Sequence, residues 1–302
     1  MRNHLRAALR TIIVAVIACA AAPAPAKTIL VTTLDDPNGP GTNVCGLYGG
    51  TYVGYYGYAG HEADGTPAHG FRYDGSTWTT LDHPSAPGAT WMRGIWGNNI
   101  VGYYLNQGYH GFKYDGSSWT TLNYPSAFST RAYGIWGNTT VGYYQDSINF
   151  QDHGFTYDGV TWKTLDYPGA IQTIPTGIYN NTIVGIYYSA TAGPVGFRYD
   201  GSTWTTVPGA ATAVYGNTIV GNYTSNNFTS GFTYDGTTFT LYNTIGSTEF
   251  EGISGSTVVG NYISELNTRH GFVASLPEPA SLSFLSLTPF LLSTRRRPRA
   301  SI

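Results

Sequence analysis

Charge is scarce in this chain: Asp, Glu, Lys and Arg together make up 11% of its 302 residues. What there is divides unevenly. Arg2, Arg6 and Arg10 lie at the start, and Arg295, Arg296, Arg297 and Arg299 at the end. The stretch between holds 8 Lys+Arg against 16 Asp+Glu, a net −8. A body so acidic, without a basic stripe, is unsuited to wrapping nucleic acid. Cysteine is nearly absent too, with Cys19 and Cys45 alone. Cys19 falls in the export signal described below, so the body keeps one thiol and no internal disulfide, and its stability rests on packing. The chain also lacks a G-x-S-x-G elbow, a Cys-His pair, a phosphate-cradling glycine loop and a D-x-D-x-D-G calcium loop. These absences argue against a catalyst, and neither a cofactor nor a metal is expected. Acid pairs such as Asp35-Asp36, or Glu249 and Glu251, could flank a glycosidic bond. Their spacing along the chain does not establish the separation of ~5 to 9.5 Å that glycoside hydrolysis needs.

What the chain has in quantity is 39 Gly and 25 Tyr. Tyr, Thr, Val and Ile suit pleated, half-buried surfaces and Gly suits tight turns, so the composition predicts many short strands.

The two ends read as addresses. Residues 1–26 have the three parts of a secretory signal: the basic start, the apolar run Thr11 to Ala22, and small residues Ala24-Pro25-Ala26 for cleavage after Ala26. The run is shorter than the roughly 20 residues of a membrane span. Val16 to Cys19 also reads as a bacterial lipobox, which would lipidate Cys19. At the other end, the apolar stretch Ala280 to Thr294 would make about 22 Å of helix, short of a ~30 Å hydrocarbon core. It suffices as a transient transmembrane stop held by Arg295, Arg296 and Arg297.

Pro277-Glu278-Pro279, this apolar segment and the arginine run, in that order, resemble the bacterial PEP-CTERM sorting signal. The resemblance covers residues 277–302. It implies recognition and processing of the tail by an exosortase, an integral membrane transpeptidase. Pro289 and the Ser/Thr content depart from the usual segment, and a plain C-terminal anchor stands as the alternative.

Residues 27–276 repeat one unit. GIWGNNIVGYY (Gly94 to Tyr104), GIWGNTTVGYY (Gly134 to Tyr144) and GIYNNTIVGIYY (Gly177 to Tyr188) are each followed by an HGFKYDGSSWTTLNYP-like phrase. The glycine of the VG pair recurs at Gly54, Gly102, Gly142, Gly185, Gly221 and Gly260. Each unit parses into four strands, with Gly-Asn and Asp-Gly turns whose central residues are both expected at positive φ. Four strands in about 40 residues is the period of a propeller blade. The sixth copy stops at Leu276 without its WTTL strand, while VTTLDDP (Val31 to Pro37) supplies an orphan one. The expected fold is therefore an all-β, six-bladed β-propeller whose N-terminal strand completes the last blade; an open β-solenoid is the alternative. The units also resemble extracellular repeats of HAF type over about residues 45–273, which implies little about activity.

Four histidines share one repeat position: His69, His110, His153 and His270. Val195 and Ser230 replace them in two copies, and a ring would hold such residues beyond the ~2 Å reach of a metal, so they read as structural. The aspartates Asp74, Asp115, Asp158, Asp200 and Asp235 read as turn residues. Trp78, Trp119, Trp162, Trp204 and Phe239 head the fourth strands and read as packing between blades. The second tyrosines of the GYY pairs, Tyr56, Tyr104 and Tyr144, read as surface pleat. Tyr48, Trp96, Trp136, Tyr179 and Tyr215 end the first strand, the one nearest the axis. They either wedge between blades or form an aromatic ring suited to stacking on sugars. The expectation is an exported, non-catalytic surface or matrix protein binding neutral carbohydrate, exopolysaccharide or surface proteins. A polysaccharide hydrolase or lyase and a purely structural component are the alternatives.

Overall fold

A computed structural model describes residues 26–57, 67–191, 193–244 and 246–277. The proposed signal up to Pro25, and Glu278, Pro279 and the arginine run, lie outside the described residues. The described chain is all-β: six sheets, each built on four antiparallel strands, form the blades of a six-bladed propeller. In blade 1 the strands are Asn43–Tyr48, Thr51–Tyr56, His69–Tyr73 and Trp78–Thr80, from the axis outward. Blade 2 begins with Thr90–Trp96, blade 3 with Ser129–Trp136, blade 4 with Gln172–Tyr179, blade 5 with Ala210–Tyr215 and blade 6 with Thr248–Ser254. The strand alternation puts the turns after the first and third strands on one end of the disc, here called the turn face.

Thr32–Thr33 pairs antiparallel with Arg269–Ser275 and completes blade 6. Just before it, Lys27–Thr28 adds a fifth, parallel strand to blade 5. Ile29 between them is buried with Phe250 and Phe272.

The repeated residues are the packing residues. Phe71, Phe112, Phe155, Phe197, Phe232 and Phe272 are fully buried, each contributing about 1.5–3 kcal/mol. The valine of each VG pair inserts into the core of the next blade: Val53 packs with Met92 and Phe112, and Val259 of blade 6 with Val44 and Phe71 of blade 1. The glycine beside it is forced. In every innermost strand the register slips by one residue, a β-bulge, for example between Met92 and Gly94. A Cβ on Gly102 would run into the Trp91 carbonyl oxygen and, at 2.8 Å, the Phe112 ring.

The turns differ from expectation. In the Gly-Asn turns only the first residue has positive φ (Gly97 58°, Gly137 58°, Gly216 60°), as in type II′ hairpins. The Asp-Gly connections are four-residue loops with only the glycine at positive φ, closed by the aspartate. Asp74 Oδ1 accepts from the backbone N–H of Thr77 (2.9 Å) and Ser76 (3.0 Å).

Candidate functional site

The bulge decides what faces the axis. Its extra residue is Cys45, Arg93, Tyr133, Thr176, Thr212 or Glu251 in blades 1 to 6, and these six side chains surround an axial cavity of about 50 Å³. Bulges re-aim side chains in this way elsewhere in β-proteins. Below this ring the strands touch backbone to backbone: a Cβ on Gly94 would lie 2.6 Å from the Tyr133 carbonyl oxygen, and one on Gly177 would lie 2.9 Å from the Ala213 Cα. A second axial space of about 80 Å³, bordered by the same six residues and the strands beside them, is likewise too narrow for a sugar ring.

The axial polar groups hold one another. Arg93 donates to the Tyr103 hydroxyl at 2.7 Å and lies over the Tyr133 ring at 5.0 Å. Arg269 bridges to Glu249 at 2.7 Å. Burial pushes the Glu251 carboxyl up to about 7, against the pull of Arg93 and with help from Glu249. Burial likewise pushes the Cys45 thiol up to about 12, so the thiol is protonated and unreactive.

The five aromatic residues come together. Ring centroids are 4.7 Å apart for Tyr48–Trp96, 3.7 Å for Trp96–Trp136, 4.2 Å for Trp136–Tyr179 and 4.7 Å for Tyr179–Tyr215. Because a hexagon's radius equals its side, these spacings bring the rings in over the axis. They form a half-exposed roof on the turn face, interrupted at Ser254 of blade 6. Tyr48, Trp96, Tyr179 and Tyr215 also pack on cores of neighbouring blades, so wedge and ring are both realised.

The histidine column lies at the opposite end and is occupied. Nδ1 of His69, His153 and His270 donates to Asp82, Asp166 and Asp35 at 2.7–2.8 Å, and that of His110 pairs with Asn123 at 3.2 Å. Each histidine stacks on a tyrosine: Tyr56, Tyr104, Tyr144 or Tyr262. This corrects the reading of the GYY tyrosines as surface pleat. Tyr56 and Tyr104 are buried, and Tyr104 and Tyr144 are sandwiched, with His83 and Tyr124 on their other faces at 3.7 Å. Trp78 packs mainly within its own blade, against Phe71 and Tyr73. Among the described residues no three His, Cys, Asp or Glu side chains are grouped to hold a metal. The aspartate turns bind themselves: N–H groups of Thr238 and Thr237 hold Asp235 down to about 2.

No protein-family model matches the chain, and no curated protein is similar to it. Solved structures are. The SapL1 lectin in complex with α-methyl fucoside is 15% identical, with a TM-score of 0.51 over 80% of this chain and 97% of that one. A Trypanosoma rangeli sialidase is 9% identical, with a TM-score of 0.51 over 81% of this chain and 57% of its own. An Aleuria aurantia lectin mutant in complex with α-methyl-L-fucoside is 14% identical, with a TM-score of 0.49 over 85% and 100%. At such identities the likeness is one of fold, common to sugar-binding and sugar-cleaving proteins alike.

Proposed function

We propose that this chain is an exported, surface-sorted, non-catalytic protein that holds neutral carbohydrate on the aromatic roof of its propeller. The observation that carries this is the unbroken contact of Tyr48, Trp96, Trp136, Tyr179 and Tyr215 over the axis. Half-exposed rings with no charged side chain among them offer apolar faces to pyranose rings and hydroxyl or indole N–H groups to their hydroxyls. Exosortase and the export machinery are the proposed processing partners, on the strength of Pro277-Glu278-Pro279 and the arginine run. The test is a glycan array with wild type and the Trp96→Ala/Trp136→Ala double variant. Binding of a neutral glycan should weaken at least about tenfold, the equivalent of ~1.4 kcal/mol. Unchanged binding would sink the roof as a site. The mass of the mature C-terminus checks the sorting proposal: an intact Ile302 on cell-associated protein contradicts processing.

A hydrolase reading draws on Glu249 and Glu251, two neighbouring carboxyls of which one is pushed up to about 7. The narrow axial space argues against it, since the Glu251 carboxyl cannot approach a glycosidic bond there and Glu249 is held by Arg269 at 2.7 Å. A purely structural role is left to the array: no glycan bound at all, with self-association instead, would favour it.

A further inference from the structure

The body has eight Lys and Arg residues. Arg93, Arg131 and Arg269 are half-buried on the innermost strands and the sixth blade, and Lys27 lies in the short parallel strand on blade 5. The other four, Arg72, Lys113, Lys163 and Arg198, all fall on one cross-strand pair between the third and fourth strands of blades 1, 2, 3 and 4. The pairs are Arg72↔Thr79, Lys113↔Thr120, Thr156↔Lys163 and Arg198↔Thr205. In blade 3 the cation changes strand but stays on the pair. A body of net charge −8 thus spends half its cations on one repeated position.

In blades 1, 3 and 4 that position lines a groove between the blade and the next, on the turn face. Three such grooves are open cavities: about 290 Å³ between blades 1 and 2, 320 Å³ between blades 3 and 4, and 360 Å³ between blades 4 and 5. These sizes lie near the lower end for small-molecule sites, roughly 300 Å³. The far wall repeats as well. It carries an asparagine of the Gly-Asn-type turn (Asn98, Asn181 or Asn217) and a tyrosine (Tyr114, Tyr199 or Tyr234). Charge balance for the neighbouring aspartate turn does not explain the cation. Blade 5 has Thr233 and Thr240 on the pair, yet its turn forms identically, with Thr238 N–H donating to Asp235 at 2.7 Å and Tyr234 hydroxyl to Gly236 at 2.9 Å.

We propose that the grooves following blades 1, 3 and 4, together with the equivalent position after blade 2 that Lys113 marks by its pairing with Thr120, are four subsites for a carboxylate-bearing sugar, so that the turn face grips an acidic polysaccharide at several points. In each, the cation takes the carboxylate, while the asparagine amide and threonine hydroxyl take ring hydroxyls. The subsites are independent of the aromatic roof. One site alone is weak; four along one polymer raise the effective concentration at each.

The test titrates the purified chain with trigalacturonate by calorimetry and with polygalacturonate by retention, at physiological salt. The expected stoichiometry is four trimers. Arg72→Ala, Lys113→Ala, Lys163→Ala and Arg198→Ala should each remove one. The quadruple variant should retain the fold, judged by its melting point, and bind polymer at least tenfold more weakly. Thr233→Arg should add a fifth site. Equal binding of the methyl ester, equal binding of dextran sulfate, or an unaffected quadruple variant each overturns the proposal. Loss on Trp96→Ala/Trp136→Ala instead would assign the polymer to the roof and likewise overturn the groove subsites.

Discussion

His83, buried, and Glu251, half-buried beside the channel, are titratable groups that desolvation pushes in opposite senses relative to pH. His83, 5% exposed, stacks on Tyr104 and meets Trp119 edge-on. Burial first, and His110 second, hold its pKa below the ordinary 6.5. The unfolded chain therefore takes up the proton first, and the stability His83 gives above pH 6.5 is lost as pH falls through its folded value. Glu251 is raised from 4.5 to about 7. Between those values the unfolded chain ionises while the folded one keeps its proton, so stability is lost as pH rises through that window. The loss is at most about 3 kcal/mol, because the side chain still borders the channel. Melting points of wild type, His83→Tyr and Glu251→Gln from pH 5 to 8 should diverge accordingly. Glu251→Gln should gain on wild type towards pH 8, by roughly 5 °C. His83→Tyr, which copies Tyr124 and Tyr167 at the equivalent linker positions, should gain towards pH 5. Three parallel curves would refute both assignments.

Individual strands were the most legible level of this molecule, because phrases such as HGFKY and WTTL recur with few changes and carry their own turn residues. Four features escaped. The bulge residues, from Cys45 to Glu251, are of five types in six blades, with only Thr176 and Thr212 alike, so no repeat comparison marks them as the axial ring. The partners of the histidines were visible as Asp or Asn 13 residues downstream in three blades. They form a column only once Asp35 is placed in blade 6. The turn geometry departs from two positive φ values because the glycine alone takes the left-handed conformation and Asn98 does not. The cation pair depends on register: Lys163 and Arg198 occupy different places in their repeats and become equivalent only through the cross-strand pairs Thr156↔Lys163 and Arg198↔Thr205. The aromatic position, by contrast, was legible from order as far as a choice between wedge and ring, since it ends the strand nearest the axis.

Closure of the ring is a property of the whole chain, and it joins residues more than 200 apart. Asp35 binds His270 and the Gly271 N–H at 2.7 and 3.0 Å, repeating what Asp82 does for His69 and Gly70 within blade 1. On the axis side, Val259 enters the core of blade 1, so the last blade meets the first through the same contact as any other pair. With no disulfide among the described residues, the N-terminal strands are the clasp. Without residues 27–36, Ile29 is lost and Phe272, fully buried in wild type, loses its outer cover; blade 6 is left with an open edge of unpaired backbone groups. Ile29 alone is worth about 1.5–3 kcal/mol. With the lost ladder and the Asp35 bonds at about 1 kcal/mol each, several kcal/mol disappear, or a fall in melting point of roughly 10 °C or more. The truncated chain should also aggregate on heating through its bare edge, and added peptide spanning residues 27–36 should restore the melting point. A truncated chain that melts like the full one would mean that the other five interfaces hold the disc unaided, and that the clasp contributes nothing to closure.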